Sequence, residues 1–163
     1  KDNERVILNK EYFSIKPKLL WRQTAPYPIA AIDKNGIWFG RSIQAGVINE
    51  TYKNKFYYEY LCCLMNSNYI RNLYIRNVKE TGKVFPQVKL DKLKRIPVKI
   101  IKIEEQEEYK NIYEQIQIKR KVGEDTIGLI EKLNNMVYDL YNVSSEERKE
   151  INNVIGEEKN ERS

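Results

Sequence analysis

The spacing of hydrophobic residues changes along this chain, and the change restricts the folds that it can adopt. Up to residue 48 the apolar residues form short runs that are separated by glycine, proline and asparagine. From Asn54 onward they recur every three or four residues, which is the spacing of amphipathic helices. Short strands followed by helices are typical of an α+β fold. We therefore expect a small β meander with packed helices, followed by an antiparallel helical hairpin.

Turn residues divide the strand-forming part of the chain. Apolar runs predict four short extended segments, at residues 19–22, 29–33, 37–39 and 41–48. Pro26 and Pro28 bracket a loop between the first two segments. The stretch Lys34-Asn35-Gly36 predicts a tight hairpin, because Asn-Gly tolerates the positive φ angles that such turns need.

The helical part carries several apolar stripes and recognisable ends. Asn54 is the predicted N-cap of a first helix, and the polar stretch at 66–68 separates it from a second. Gly123 separates two further helices, which we expect to pair antiparallel because the break between them is short. Ser144 with Glu147 three residues later forms a capping box that opens a last helix. Residues 84–103, which contain two prolines, are expected to be irregular and extended.

Charge is divided unequally between two parts of the chain. Residues 1–103 contain 20 Lys and Arg against 8 Asp and Glu, a net charge of +12, whereas residues 104–163 contain 9 against 15, a net charge of −6. A basic surface gains affinity for a polyanion because counterions are released when phosphates are neutralised. We therefore predict a basic DNA-reading α+β region at 1–103, a helical scaffold or docking region at 104–155, and a frayed tail at 156–163.

Several classes of function lack the residues that they require. Histidine is absent, which removes the commonest general base and metal ligand. The glycines form no phosphate-binding loop, and the adjacent Cys62 and Cys63 are expected to be reduced residues of the core. Asp33 and Glu59 are interpreted as a turn residue and a surface charge rather than as catalytic carboxylates. We therefore expect no catalytic residue, no metal and no cofactor in this chain.

The sequence also carries signals about where the chain resides. It has no apolar run near the ~20 residues of a membrane span, and its first residues do not resemble a signal peptide. We expect a cytoplasmic location. Because the chain begins with Lys1 and not with methionine, we also expect it to be a piece of a longer protein.

The basic part contains candidate DNA contacts interleaved with aromatic residues. Arg can donate two hydrogen bonds to guanine, Gln can bridge adenine, and Lys serves mainly phosphates. We expect Trp21 and Trp38 to pack in the interior. The candidate DNA-binding residues are Arg22, Gln23, Arg41, Gln44, Arg71, Arg76, Lys79, Lys83, Lys89, Lys92 and Lys94.

Two groups of these candidates have different expected roles. The four Arg and Gln residues between positions 22 and 44 lie in or beside the predicted strands, and at least one of them is expected to read a base. Residues 77–94 are polar and rich in lysine, so this segment is expected to lie at the DNA surface and contact phosphates. The alternative for any single residue is an ordinary solvated charge.

Several segments of the chain, taken in order, carry a resemblance to a known family. They lie at residues 17–23, 29–33, 60–67, 84–89, 93–98, 137–141 and 145–147. The more specific are Leu64-Met65-Asn66-Ser67 and the Val-Tyr-Asp-Leu-Tyr stretch that starts at Val137. Together they resemble the TaqI-like C-terminal specificity domain, the target-recognition part of type IIG restriction–modification enzymes and related adenine-specific DNA methyltransferases.

A second likeness supports the same interpretation. The chain is similar to the specificity subunits of type I systems, in which a Leu, Ile-Pro and Gln pattern leads into a long helix. The residues that match this pattern here are Leu93, Ile96, Pro97 and Gln106.

The resemblance implies a division of labour between two domains. This chain would recognise double-stranded DNA, while a separate methyltransferase domain would bind S-adenosylmethionine and transfer a methyl group to adenine. That domain would precede Lys1 in the same chain or belong to a partner subunit. The target adenine would be flipped out of the duplex in the catalytic domain.

Two other functions remain open at the level of sequence. The chain could be a protein-interaction module in which the helical hairpin at 104–141 is the functional surface. It could also be a nuclease whose metal site the sequence does not reveal, in which case the isolated chain would cleave DNA with magnesium. Little DNA affinity at physiological salt would favour the interaction module.

The charge division generates a first prediction. We expect the isolated chain to bind duplex DNA weakly, because the catalytic domain would supply the other half of the grip. The affinity should fall steeply with salt, since log K falls by about 0.9 per tenfold rise in salt for each phosphate neutralised. Binding titrations at several salt concentrations measure this slope, and a flat response would contradict the electrostatic interpretation.

Overall fold

The computed structural model describes residues 10–78 and 86–160 and confirms the α+β class. Strands β1 (Lys18–Arg22), β2 (Ala30–Asp33) and β3 (Ile43–Gly46) form an antiparallel sheet. A short 3₁₀ turn at Glu50–Tyr52 follows the sheet. The helices are α1 (Lys10–Ser14), α2 (Tyr58–Asn66), α3 (Asn68–Val78), α4 (Leu90–Leu93), α5 (Ile103–Lys121), α6 (Ile127–Leu140) and α7 (Ser145–Asn160).

The order of the strands differs from that of a meander. The sheet order is β2-β1-β3, so the first strand is central, whereas a meander would place the second strand in the middle. The predicted hairpin at Asn35-Gly36 is wrong, because the two strands on either side of it do not pair. Gly36 does have a positive φ of 77°, but the turn is formed around a side chain. The Asp33 carboxylate accepts the backbone N–H groups of Asn35, Gly36 and Ile37.

A buried ion pair joins the first strand to this turn. The Lys18 ammonium lies 2.5 Å from the Asp33 carboxylate and also donates to the carbonyls of Phe13 and Ile15. Both side chains are about 1% exposed or less. Every donor of the ammonium is therefore used, which is the condition under which a buried charge is tolerated. Burial raises the pKa of Asp33, but the hydrogen bonds from Lys18 and the turn outweigh it and leave the pKa below its ordinary value.

The first long helix starts later than the sequence indicates. The predicted N-cap at Asn54 is wrong, because α2 begins at Tyr58 and a distant side chain serves its start. Gln106 accepts the Tyr57 N–H at 2.8 Å and donates to the carbonyls of Lys55 and Ile101. This amide is completely buried and fully hydrogen-bonded, so it ties the start of α5 to the start of α2.

A polar corner separates α2 from α3, as the sequence predicts. The Asn66 amide donates to the Ala30 carbonyl at 2.9 Å and accepts the Ala30 N–H at 3.1 Å. It therefore pairs with the outer edge of β2 in the way that another strand would. Ser67, which is completely buried, donates to the Leu64 carbonyl and accepts the Ile70 N–H. These bonds close the end of α2 and open α3.

The helical hairpin is antiparallel, as predicted, and shares its core with the sheet. The Tyr109 hydroxyl of α5 donates to the Met136 carbonyl of α6, and Glu108 pairs with Lys132. One continuous hydrophobic cluster includes Leu19 and Trp21 of β1, Tyr60 of α2, Tyr109 and Ile112 of α5, and Val137 of α6. The division of the chain at residue 103 stays a prediction. Both cysteines are buried and free, as predicted.

The last helix begins with the predicted capping box. The Ser144 N–H donates to the Glu147 carboxylate at 2.8 Å, and the Glu147 N–H donates to the Ser144 hydroxyl at 3.3 Å. Helix α7 continues to Asn160, past residue 156 where the frayed tail is predicted to begin. Its buried Ile151 and Ile155 pack with Tyr138 in a second cluster.

The buried ion pair generates a prediction about stability. Asp33→Asn or Lys18→Met alone should lower the free energy of unfolding by about 3–5 kcal/mol, because each leaves a buried charge without its partner. The double variant should lose less than the sum of the two. Urea unfolding of the three variants measures this difference. If the loss of the double variant equals the sum of the two single losses, the pairing of Lys18 with Asp33 is contradicted.

An exposed pair provides the control for this experiment. Glu50 and Lys53 lie 3.4 Å apart with exposed side chains, so Glu50→Gln should change the free energy of unfolding by about 1 kcal/mol or less. The contribution of Asp33 is present above its ordinary pKa of 3.8 and is lost as the pH falls through the lowered pKa. The acid part of the stability profile should therefore become shallower in Asp33→Asn but not in Glu50→Gln.

Candidate nucleic-acid interface

Three separate segments of the chain meet where β1 ends. The Gln23 N–H donates to the Ser42 carbonyl at 2.8 Å, and the Gln23 carbonyl accepts the Val88 N–H at 2.7 Å. Thr24 forms an isolated bridge with Gln87. The end of β1, the turn before β3 and the segment at 86–89 therefore lie side by side, and we call this surface the β1 junction. Its exposed or half-buried polar residues are Arg22, Gln23, Arg41, Gln44, Gln87 and Lys89.

One tyrosine fixes the third of these segments against the helices. The Tyr74 hydroxyl of α3 donates to the Gln87 carbonyl at 3.1 Å and accepts the Lys89 N–H at 2.7 Å. Helix α4 follows directly, with Lys92 half-buried and Lys94 exposed. The described part of the predicted DNA-facing segment at 77–94 therefore lies beside the β1 junction. Lys79 and Lys83 lie outside the described residues.

The basic candidates differ in what they contact. Among the ion pairs of residues 10–78 and 86–160, none includes Arg22, Arg41, Lys92 or Lys94. Arg76, by contrast, pairs with Glu150 of α7 at 2.8 Å. The charges of Arg22, Arg41, Lys92 and Lys94 are therefore not compensated by an ion pair with another described residue, whereas that of Arg76 is paired within the domain.

Gln44 has a packing role in addition to any contact with DNA. Its Oε1 atom accepts the indole N–H of Trp21 at 2.8 Å, and the two residues are partners in the β1–β3 ladder. Trp21 is buried, as predicted, and its ring lies over Gly46, where a Cβ atom would come within 3.2 Å of it. The amide N–H₂ group of Gln44 forms no hydrogen bond with any of the described residues. Gln44 can therefore hold Trp21 and still present a donor.

The prediction that Trp38 packs in the interior is wrong. Its side chain is 56% exposed in the loop between β2 and β3, where it stacks on Phe13 with a ring separation of 4.8 Å. The Phe39 ring packs against the same phenyl ring in a tilted arrangement, with a centroid separation of 4.9 Å. The loop connects β2 with β3, which are not neighbours in the sheet. The flanking Gly36 and Gly40 are the sequence signal that places these aromatics in a loop.

Arg71 occupies a different place from the other candidates. Its guanidinium donates to the Asn66 carbonyl oxygen at 3.1 Å and lies 4.8 Å from the centre of the Tyr27 ring. It is partly buried between α3 and the sheet. The described contacts of Arg71 are therefore with Asn66 and Tyr27, and not with Arg22 or Arg41 of the β1 junction.

The described part of the chain contains neither a metal-binding cluster nor a membrane-spanning helix. Among the described residues, no group of three His, Cys, Asp or Glu side chains is placed to hold a metal ion. None of the described helices is both long enough and apolar enough to cross a membrane.

Unpaired arginines and lysines beside the end of a sheet form a basic patch of the kind that DNA-binding modules present. The model of one family, the TaqI-like C-terminal specificity domain, matches residues 1–98. Because this match covers more than half of the chain, the chain belongs to that family. No curated protein matches the chain.

Membership in this family supports a general role. The chain has a DNA-recognition role in restriction–modification, and a specificity domain is a non-catalytic part of such a system. The predicted family is thereby confirmed. The match ends at residue 98, so the similar stretches at 137–141 and 145–147 lie beyond it.

The two tryptophans generate a matched prediction. Trp21→Ala should lower the free energy of unfolding by about 3–5 kcal/mol, because it empties a buried site. Trp38→Ala should lower it by about 1 kcal/mol or less, because only a stacked and exposed ring is lost. Urea unfolding compares the same substitution at the two positions. Equal losses would mean that Trp38 is packed in the core.

Proposed function

We propose that this chain sets the target site of a linked adenine methyltransferase by reading duplex DNA with the β1 junction. The observation that carries this proposal is the pair of backbone hydrogen bonds at Gln23. They hold three segments side by side, and each segment brings at least one exposed basic residue, namely Arg22, Arg41 or Lys89. A protein that reads DNA needs such a combination of charge and fixed geometry.

The residues of the surface divide into two expected roles. Lys89, Lys92 and Lys94 follow one another along a fixed segment and would contact phosphates, which sets the position of the domain on the duplex. The arginine and glutamine side chains of the β1 junction would reach base edges, because they can make paired hydrogen bonds to guanine and adenine. A strand pair is narrow enough to enter the major groove, which is about 12 Å wide.

Trp38 adds a contact that the sequence did not predict. It lies in the same loop as Arg41, and its ring is exposed on one side while Phe13 covers the other. An aromatic ring supported in this way can stack on a nucleobase or press against the sugar–phosphate backbone. We include Trp38 among the DNA-contacting residues on this ground.

The chemistry of methylation belongs to a different domain in this proposal. The methyl donor would be S-adenosylmethionine, bound by a methyltransferase domain that precedes this chain or belongs to a partner subunit. The target adenine would rotate out of the duplex into that domain, while this chain holds the neighbouring base pairs. The complete enzyme would act with or without an endonuclease activity.

One observation favours a second candidate function, a docking role for the helical hairpin. Ile118 and Val122 near the end of α5 and Ile127 at the start of α6 are each more than 60% exposed. Exposed apolar residues clustered along a short stretch of chain are typical of interaction surfaces. The two functions are compatible, since a domain that reads DNA must also hold its catalytic partner. The nuclease alternative has no such supporting observation in the described part of the chain.

The proposal is tested by single substitutions at the β1 junction. Arg22→Ala, Gln23→Ala, Arg41→Ala and Gln44→Ala are introduced one at a time into the complete methyltransferase that contains this chain. At least one should cost about 1–3 kcal/mol of discrimination at one base pair and relax the preference there. Methylation profiling of genomic DNA measures the recognition sequence of each variant.

The helical hairpin supplies the control for this series. Lys132→Ala removes an exposed basic residue of α6 that pairs with Glu108, far along the chain from the β1 junction. Its recognition sequence should be unchanged. If all four junction variants also keep the parental sequence, the reading surface lies elsewhere. If the complete enzyme binds DNA equally well with and without this chain, the main function of the chain is docking.

A further inference from the structure

A pocket of about 210 Å³ lies between β2 and helices α2, α3, α5 and α6, away from the β1 junction. Arg71 of α3 and Arg120 of α5 both line it. Gln117 adds an amide, and the walls are largely apolar, with Tyr113, Ile116 and Leu133 among them. The pocket therefore combines two guanidinium groups with a hydrophobic lining.

No carboxylate of the described residues forms an ion pair with Arg71. Its Nε atom is buried without a hydrogen-bond partner among the described residues, although the other end of the guanidinium is held by Asn66. No ion pair of residues 10–78 and 86–160 includes Arg71 or Arg120. Burial lowers the pKa of Arg71, and the charge of Arg120 acts in the same direction. A partly buried cation of this kind is stabilised by an anion.

The titratable groups around the pocket do not supply that anion. Burial raises the pKa of Tyr113 and of Cys62 to about 12 in each case, so both side chains are neutral at ordinary pH. Glu59 is the nearest acidic side chain on α2, and it pairs with Lys34 at 2.8 Å. Near the end of α5, Lys119 pairs with Glu124 and leaves Arg120 without an acidic partner. The electrostatic environment of the pocket is therefore positive.

We infer that this pocket binds one small organic oxyanion, with a phosphate or carboxylate head between Arg71 and Arg120 and an apolar body against Tyr113, Ile116 and Leu133. A guanidinium group can donate two parallel hydrogen bonds to two oxygens of one phosphate or carboxylate. This geometry favours a phosphate or carboxylate head over a halide. The volume is below the roughly 300–1,000 Å³ typical of pockets for drug-sized ligands, so the body must be small. The inference does not rest on the proposed mode of DNA reading.

Phenyl phosphate and inorganic phosphate are suitable probes for the full chain at constant ionic strength. Calorimetric titration should give saturable binding of phenyl phosphate at one site, with weaker binding of inorganic phosphate because it lacks the apolar body. Arg120→Gln should raise the dissociation constant of phenyl phosphate by about tenfold or more, since a charge-assisted hydrogen bond is lost. Arg120 is exposed, so this variant should remain folded.

Two controls make the outcome decisive. Arg95→Gln removes an exposed arginine outside the pocket and should leave the dissociation constant unchanged. Titration of duplex DNA into Arg120→Gln distinguishes a free ligand from a backbone phosphate. The inference is overturned if phenyl phosphate does not saturate, if Arg95→Gln weakens binding as much as Arg120→Gln, or if only DNA binding responds to Arg120→Gln.

Discussion

The sheet of this domain is too small to be stable alone, so the structure depends on its attachment to the helices. Its strands are four or five residues long, and a sheet of this size needs packing against other elements. Trp21 provides the apolar part of that attachment through the shared core. Asn66 provides the polar part, because its amide pairs with both backbone groups of Ala30. The same amide also accepts a hydrogen bond from Arg71 and so positions one wall of the oxyanion pocket.

The residues that make the family recognisable are mostly structural. Asn66 and Ser67 form the corner between α2 and α3, and Gln106 serves the start of α2. The Pro97 carbonyl accepts the Tyr141 hydroxyl at 2.9 Å, so two of the similar segments contact each other directly. A resemblance carried by such residues identifies the scaffold. It says little about base contacts, which we propose to lie among the side chains of the β1 junction.

Local patterns predicted the parts of the fold that local interactions determine. The long helices, the break at Gly123 and the capping box at Ser144 follow from spacing and short-range hydrogen bonds, whereas the short helix α4 lies within residues 84–103, which are expected to be extended. The predictions that failed depend on distant partners. The start of α2 is served by Gln106, which is 49 residues from Tyr57, and the strand order depends on the pairing of β1 with β3, which turn residues do not reveal. Five of the six residues that define the β1 junction are sequence candidates, whereas Gln87 is not. The arrangement of the three segments could not be predicted, because Val88 meets Gln23 only in the folded chain.

The hydrogen bonds that assemble the β1 junction are made by main-chain atoms. The Gln23 N–H and carbonyl, the Ser42 carbonyl and the Val88 N–H are present with any side chain at these positions except that of proline at 23 or 88, which would remove the N–H. Substitutions at Arg22, Arg41 or Lys89 therefore leave the frame intact while they change the chemical groups offered to the groove. If the β1 junction reads DNA as proposed, a few point mutations there change the target sequence while the fold is kept.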